Sequence, residues 1–377
     1  MKKILEITTV GITARAFLIP LFQELKDQGF DVTYASTPDK DAKETVKAAG
    51  IPFFPVYISR TISPKDLVSI WKLYRFIKKE KFDIVHTHTA KAGFAGRIAA
   101  WAAGVPTIIH TAHGLTIHSG LSKFKKKFYL FLERFAAKRT KKFICVTKLV
   151  EDSLVEQGIT ERGKCVVIPN CVSPDYDPSK CDRGKIDALK NKLSLPKNAL
   201  LILCAARLVE DKGLEESVSA LHDLPDNVFL IIAGEGPIKE KLQKLANILD
   251  LTNRLRFLGW VDTASMPAVL SLADIFVSAT KREGFGVGII EAQAMGLPVI
   301  TSKIRPITDL LAPDSALFID PQTKESTREG ILQAASQLIS DEQKRRAFSE
   351  KALENARKYS LQNYRENIRA FIRSELL

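Results

Sequence analysis

Cysteine is scarce in this chain of 377 residues. There are five, Cys145, Cys165, Cys171, Cys181 and Cys204, an odd number without a Cys-x-x-Cys pair. That pattern excludes a disulfide framework and a zinc site and points to reduced thiols. Long apolar runs are missing too. No stretch approaches the ~18 residues needed to span a bilayer. Met1-Lys2-Lys3 leads straight into Ile4–Val10, which is only strand-length, so a signal peptide is not expected. Low-complexity segments, short repeats and recognised nucleic-acid reader motifs are absent. Acidic residues are scarce in one half only. Residues 1–172 hold 28 Lys+Arg against 15 Asp+Glu, whereas residues 173–377 hold 28 of each. The whole net charge of +13 therefore sits in the N-terminal half, which is expected to face an anionic surface or ligand.

What remains is ordinary globular composition, 45% hydrophobic and 26% charged, in a chain long enough for two domains. Strand-length apolar runs alternate with helix-length amphipathic segments. The runs in the first half are Ile4–Thr9, Asp31–Ala35, Phe53–Val56, Asp83–His86, Thr107–His110, Lys142–Val146 and Cys165–Ile168. Pro169 to Pro178 then places three prolines in ten residues, which ends regular structure. The alternation restarts with Leu200–Ala205, Val228–Ala233, Arg256–Leu258, Asp274–Val277, Pro298–Thr301 and Ala316–Phe318. Such repetition predicts α/β architecture with two parallel, doubly wound sheets. The expected boundaries are 1–172, a linker 173–198, a second domain 199–358, and a C-terminal helix over 359–377 that crosses back to the first domain.

Three loops at predicted strand ends carry the chemistry. Arg207 and Lys212 lie five residues apart after Leu200–Ala205, and Gly213 then opens a helix. A planar guanidinium and a mobile ammonium in that arrangement can converge on one diphosphate. Gly234-Glu235-Gly236-Pro237 is a tight turn into a helix with proline at its first position. Glu283 and Glu291 bracket Gly284-Phe285-Gly286-Val287-Gly288. Glycines admit close backbone approach, a helix N-terminus favours an anion, and carboxylates accept hydrogen bonds from sugar hydroxyls. Ile289 stands where a dinucleotide fingerprint needs its last glycine.

With Arg207, Lys212-Gly213, Gly234 to Pro237, Phe257-Leu258-Gly259 and Glu283 through Glu291-Ala292, the chain resembles the retaining glycosyltransferases of family 4. His86-Thr87-His88, Lys91-Ala92-Gly93, Arg97 and His113-Gly114 resemble the first domain of those that build bacterial lipid-linked saccharides. The resemblance covers nearly the whole chain. It implies the GT-B fold, two Rossmann-like domains facing a central cleft, the first on the acceptor side and the second holding a nucleotide-sugar. It implies a UDP-linked donor, a lipid-linked or growing saccharide acceptor, retention without a metal, and no cofactor. Arg207 and Lys212 would stabilise the departing diphosphate, with Gly234 and Gly259 among the donor-binding positions. Glu283 would meet the transferred sugar, with Gly284, Phe285, Gly286 and Val287 offering backbone amides. Glu291 would accept ribose hydroxyls, His113 would lie near the sugar, and Gly11, in the loop after the first strand, would approach the phosphates or acceptor.

Five of six histidines, His86, His88, His110, His113 and His118, cluster in sequence. With no supporting carboxylate or closed ligand spacing, a metal is not expected there. Asp175-Tyr176-Asp177 has the spacing of metal-dependent transferases, but in a Pro-rich linker it reads as a solvated turn. From Lys123 to Lys148 there are ten Lys/Arg and one acid, Glu133. Phe124, Phe128, Phe131 and Phe135 fall on one helical stripe beside Lys125, Lys126 and Lys127. One reading puts the phenylalanines inside; the sharper one puts Lys123, Lys125, Lys126 and Lys127 on anionic lipid. The expectation is thus a peripheral enzyme on the cytoplasmic face of a membrane, without nucleic-acid partners. The rivals are a GT-B nucleotide-sugar epimerase and a non-catalytic basic surface-binding protein.

Overall fold

Near-continuous Val, Ile, Leu and Phe runs, apolar on both faces, form interior strands of parallel sheets because helices then cover both sides. In the computed structural model, which describes residues 1–58, 65–114 and 122–377, that happens twice. Two compact units result: Met1–Cys171 with Leu361–Leu377, and Val172–Ser360. Residues 173–198 lie within the second unit and include the helix Arg183–Lys192.

The first unit has strands β1 (Lys3–Ile7), β2 (Asp31–Ser36), β3 (Phe53–Pro55), β4 (Ile84–His88), β5 (Thr107–Ala112), β6 (Lys142–Cys145) and β7 (Cys165–Val167). They pair in parallel in the order β3-β2-β1-β4-β5-β6-β7. Alternation along β1 sends Ile4 to one face and Leu5 and Ile7 to the other. The Ile4 face packs against Phe22, Leu25 and the C-terminal helix Leu361–Glu375, through Tyr364, Ile368, Phe371 and Ile372. Arg369 fastens that helix, donating 2.6 Å to the buried Glu24. The opposite face is covered in part by the helix Ala90–Ala103, whose small residues let it lie close. A Cβ on Gly93 would stand 2.5 Å from the His110 ring. Arg97 is fully buried, donating to the Gly93 carbonyl and to Glu133. Ala92, Gly93 and Arg97 therefore have a packing explanation, while Lys91 pairs with Asp66 at 2.8 Å.

The second unit has β8 (Leu200–Ala205), β9 (Val228–Ala233), β10 (Leu255–Gly259), β11 (Ile275–Ser278), β12 (Val299–Ser302) and β13 (Leu317–Ile319), all parallel in the order β10-β9-β8-β11-β12-β13. The order reverses between β8 and β11. Ligand crevices of open parallel sheets form beyond the strand carboxyl ends at that reversal. Both predicted sheets are therefore present, with short boundary shifts. One local expectation fails: Gly11 does not sit in a loop but opens the helix Gly11–Phe17.

Candidate functional site

In the second unit the reversal brings two of the three loops together. The loop after β8 carries Arg207 and Lys212; the loop after β11 carries Glu283 to Gly286. The two are stitched by backbone, the Lys281 amide donating 2.8 Å to the Asp211 carbonyl. Gly213 lies so close that a Cβ would stand 2.3 Å from the Ala279 carbonyl oxygen. The third loop joins from β9. The Leu208 amide donates to the Glu235 carbonyl at 3.0 Å, and the Gly234 amide to the Gly259 carbonyl at 2.7 Å. Gly234 has φ 145° and would drive a Cβ to 1.9 Å from the Ala206 oxygen, so only glycine fits.

Within this platform Lys212 and Glu283 face each other. The Lys212 ammonium donates 2.8 Å to Glu283, both side chains 24% exposed. The other Glu283 oxygen accepts from the Gly284 amide at 3.0 Å. The Arg207 side chain is exposed and makes no hydrogen bond or ion pair among the described residues. Gly286, left-handed at φ 84°, turns the chain into the helix Val287–Ala294, which has no side-chain cap. The Ile289 amide donates to the Gly286 carbonyl at 3.0 Å, while the Val287 and Gly288 amides have no partner among the described residues and are open to an anion. The Phe285 ring is buried edge-on against Tyr359 and anchors the turn. Glu291 lies four residues into that helix. Burial pushes its carboxyl up to about 7, although an interaction with the Tyr176 hydroxyl favours ionisation.

Tyr176 is a site neighbour that the sequence pattern does not mark. It is buried, within the segment read as a solvated turn. The flanking acids do take turn roles. Asp175 accepts from the Ser173 hydroxyl, and Asp177 from the Ser179 amide and hydroxyl. A proline-rich segment gives no hint of the distant acid its tyrosine meets.

His113 and Gly11 belong to the first unit. The Gly11 amide donates to Asp39 at 2.9 Å, and a Cβ there would strike the Ala42 amide at 2.0 Å. Close packing against the helix Lys40–Ala49 explains this glycine, and its N–H is occupied. The expectation that no carboxylate supports the histidines is overturned. Glu6, fully buried on β1, bonds both His86 and His88. Ligand atoms of these three residues lie within 4.8 Å of one another. His110 is instead satisfied by the Thr87 hydroxyl at 2.9 Å, and burial holds it well below the ordinary histidine range. His118 lies outside the described residues.

The basic helix spans Lys123–Ala137, and its phenylalanines are not inside. Phe124 is 81% exposed and Phe131 65%, with Phe128 and Phe135 also exposed. Trp101 packs edge-on against Phe135, and the Arg139 guanidinium lies over both rings. Lys123, Lys125, Lys126 and Lys127 are exposed beside them. No helix among the described residues is long and apolar enough to cross a membrane.

Comparison with known proteins agrees with this geometry. Residues 17–176 match the model of Glycosyltransferase Family 4, and residues 185–355 that of Glycosyl transferases group 1. The chain is 34% identical over 291 residues to the Escherichia coli UDP-Gal:alpha-D-GlcNAc-diphosphoundecaprenol alpha-1,3-galactosyltransferase, covering 75% of this chain and 74% of that one. It is 28% identical to the Acholeplasma laidlawii alpha-monoglucosyldiacylglycerol synthase, covering 77% and 79%. Among solved structures, Anabaena HepE in complex with UDP and glucose superposes with a TM-score of 0.84 at 20% identity, covering 99% of this chain and 100% of that one. With both sheets, the loop platform and these matches together, the chain is a glycosyltransferase and belongs to family 4, with the GT-B fold.

Proposed function

We propose that this glycosyltransferase moves a hexose or N-acetylhexosamine from a UDP-linked donor to a lipid-linked saccharide during bacterial polysaccharide assembly, with retention and without a metal ion. The observation that carries the reading is the platform beyond β8 and β11. It offers Arg207, Lys212 and an uncapped helix N-terminus to a diphosphate, and two acids to hydroxyls. Similarity to the Escherichia coli galactosyltransferase supports UDP and a diphosphoundecaprenol-linked acceptor.

In this reading the bond between the sugar carbon and the donor phosphate oxygen breaks while a bond to the acceptor oxygen forms on the same face. The acceptor proton goes to the leaving UDP. Arg207 and Lys212 stabilise the negative charge that grows on that phosphate, the task a metal performs elsewhere. Opening of the Lys212–Glu283 pair frees the ammonium for phosphate and the carboxylate for the sugar. Glu291 takes the ribose and His113 a hydroxyl of the transferred sugar. The Lys123–Ala137 helix lays exposed phenylalanines and lysines on anionic headgroups at the inner face of the membrane, where a lipid-linked acceptor is found.

The test is a screen of UDP-galactose, UDP-glucose, UDP-N-acetylglucosamine and GDP-mannose against a short polyprenyl-diphosphate-linked sugar, with and without EDTA. Acceptor-dependent transfer from a UDP-sugar, an α-linked product by NMR coupling and indifference to EDTA are expected. Epimerised donor without acceptor, or no affinity for UDP, overturns the reading.

A further inference from the structure

Glu6 is a charged residue in the middle of an apolar strand, and it is fully buried. Register explains its company. Glu6 on β1 stands opposite His86 on β4, and His88, two residues on, shares that face. Thr111 on β5 pairs with His88 and closes the far side, its hydroxyl 2.7 Å from His86 Nε2. One Glu6 oxygen lies 3.0 Å from His86 Nδ1, the other 2.6 Å from His88 Nε2. Burial alone would push this carboxyl up, but the two imidazoles outweigh it and hold it at about 2. Glu6 is therefore ionised, and an ionised carboxylate only accepts. His86 Nδ1 and His88 Nε2 must both carry hydrogen.

The proton order then propagates. Burial lowers His88 to about 4, so at neutral pH it carries one proton, and that proton is on Nε2. Its Nδ1 is a lone pair, 3.2 Å from His113 Nε2. A contact between two ring nitrogens needs one donor, so His113 carries its hydrogen on Nε2. Burial holds His113 well below the ordinary range as well, so it has no second proton. Its Nδ1 is left bare. That atom is buried without a hydrogen-bond partner among the described residues. Phe17 stacks on the ring at 5.8 Å and fixes its plane.

We propose that Glu6 and His88 are positioning residues, a hydrogen-bond relay that locks His113 in its Nε2–H form and reserves its Nδ1 lone pair for a hydroxyl of the transferred sugar. The relay makes His113 an acceptor. It selects an O–H group and disfavours a phosphate oxygen at the same spot, because two acceptors repel. Wrong-tautomer histidine is a known route to large losses in catalysis with geometry intact. The proposal rests on the assignment of His113 to the sugar made above.

The experiment uses full-length protein labelled with 15N-histidine, with His113→Asn identifying the His113 signals. At pH 7, two-bond 1H–15N correlations are expected to show His113 protonated on Nε2 and bare on Nδ1. An Nδ1–H form or an imidazolium overturns the relay, with no variant of Glu6 needed. Kinetics give the second readout. Glu6→Gln presents one amide N–H where both imidazoles need an acceptor, so the His113 correlations should change. The kcat for transfer should fall on the order of 10²-fold, with the donor KM little altered. In the His113→Asn background Glu6→Gln should add no further loss, whereas independent, multiplying losses overturn the proposal. Stoichiometric zinc in the purified protein overturns it too, because a cation among Glu6, His86 and His88 would displace the relay protons. A wild type without transfer activity would overturn the function instead, and the tautomer would still decide the relay.

Discussion

Glu291 holds its proton to about pH 7 in the folded protein, because burial penalises its charge, whereas an unfolded chain releases it near 4.5. The folded state thus binds the proton more tightly. Its stabilising effect is complete below pH 4.5 and is lost as pH rises through about 7. Glu291→Gln, which cannot ionise, should therefore gain stability relative to wild type as pH is raised from 5 to 8, by about 1–3 kcal/mol. Thermal melts of the pair across that range check it; a constant difference rejects the burial argument. If ribose hydroxyls bond the ionised form, the same variant should bind UDP about tenfold more weakly at pH 8, read by calorimetry. Arg207 and Lys212 make the complementary case. The Arg207 side chain is exposed and unpartnered among the described residues, so Arg207→Ala should leave the melting temperature unchanged. Each alanine variant should nonetheless cost about 10²–10³-fold in kcat. Unimpaired transfer in both would remove them from the reaction.

Helices and turns show which features local pattern can reveal. Gly234 and Gly286 are both left-handed or beyond, yet their surroundings differ. A Cβ on Gly234 collides with a backbone carbonyl, while on Gly286 the nearest atom is a flexible Ile289 methyl at 3.3 Å. Gly286→Ala carries backbone strain alone, about 1–2 kcal/mol, and Gly234→Ala should cost visibly more in urea melts. Apolar runs announce every strand, the half-buried edge strands β3 and β7 included. The Gly11–Phe17 helix carries no local signal, because Val10 gives it no side-chain cap and glycine opens it. The phenylalanine stripe at 124, 128, 131 and 135 was visible, but periodicity reports an apolar face and not what covers it. The role of Glu6 is not legible locally, because its histidine partners lie 80 and 82 residues away and only the adjacency of β1 and β4 brings them together. Exposure of the stripe makes a direct test available. Replacing Lys125, Lys126 and Lys127 by Glu should weaken binding to anionic vesicles by at least about 3 kcal/mol, at roughly 1 kcal/mol per lysine, with melting unaltered. Phe124→Ser with Phe131→Ser should weaken binding even at high salt, where the lysines are screened.

At the scale of the whole molecule, the two units differ in how the chain builds them. The second is continuous, Val172–Ser360, and builds its own apolar core against its sheet. The first is split, and its closing piece arrives last, as Leu361–Leu377. Tyr364, Ile368, Phe371 and Ile372 enter the same core as Ile4, Phe22 and Val32. Burying four such side chains is worth roughly 6–12 kcal/mol at about 1.5–3 each. A domain's entire stability is about 5–15 kcal/mol. Without this helix Glu24 also loses its ion pair with Arg369. A chain ended at Ser360 should therefore lose the cooperative unfolding of its first unit, while the second unit melts as before. Residues 172–360 expressed alone should give one reversible transition in calorimetry and, if the platform beyond β8 and β11 is the donor site, should bind UDP without the first unit. A chain ended at 360 with both transitions intact would show that the sheet of the first unit is self-sufficient. An isolated second unit that folds but ignores UDP would show that the platform beyond β8 and β11 does not hold the donor by itself.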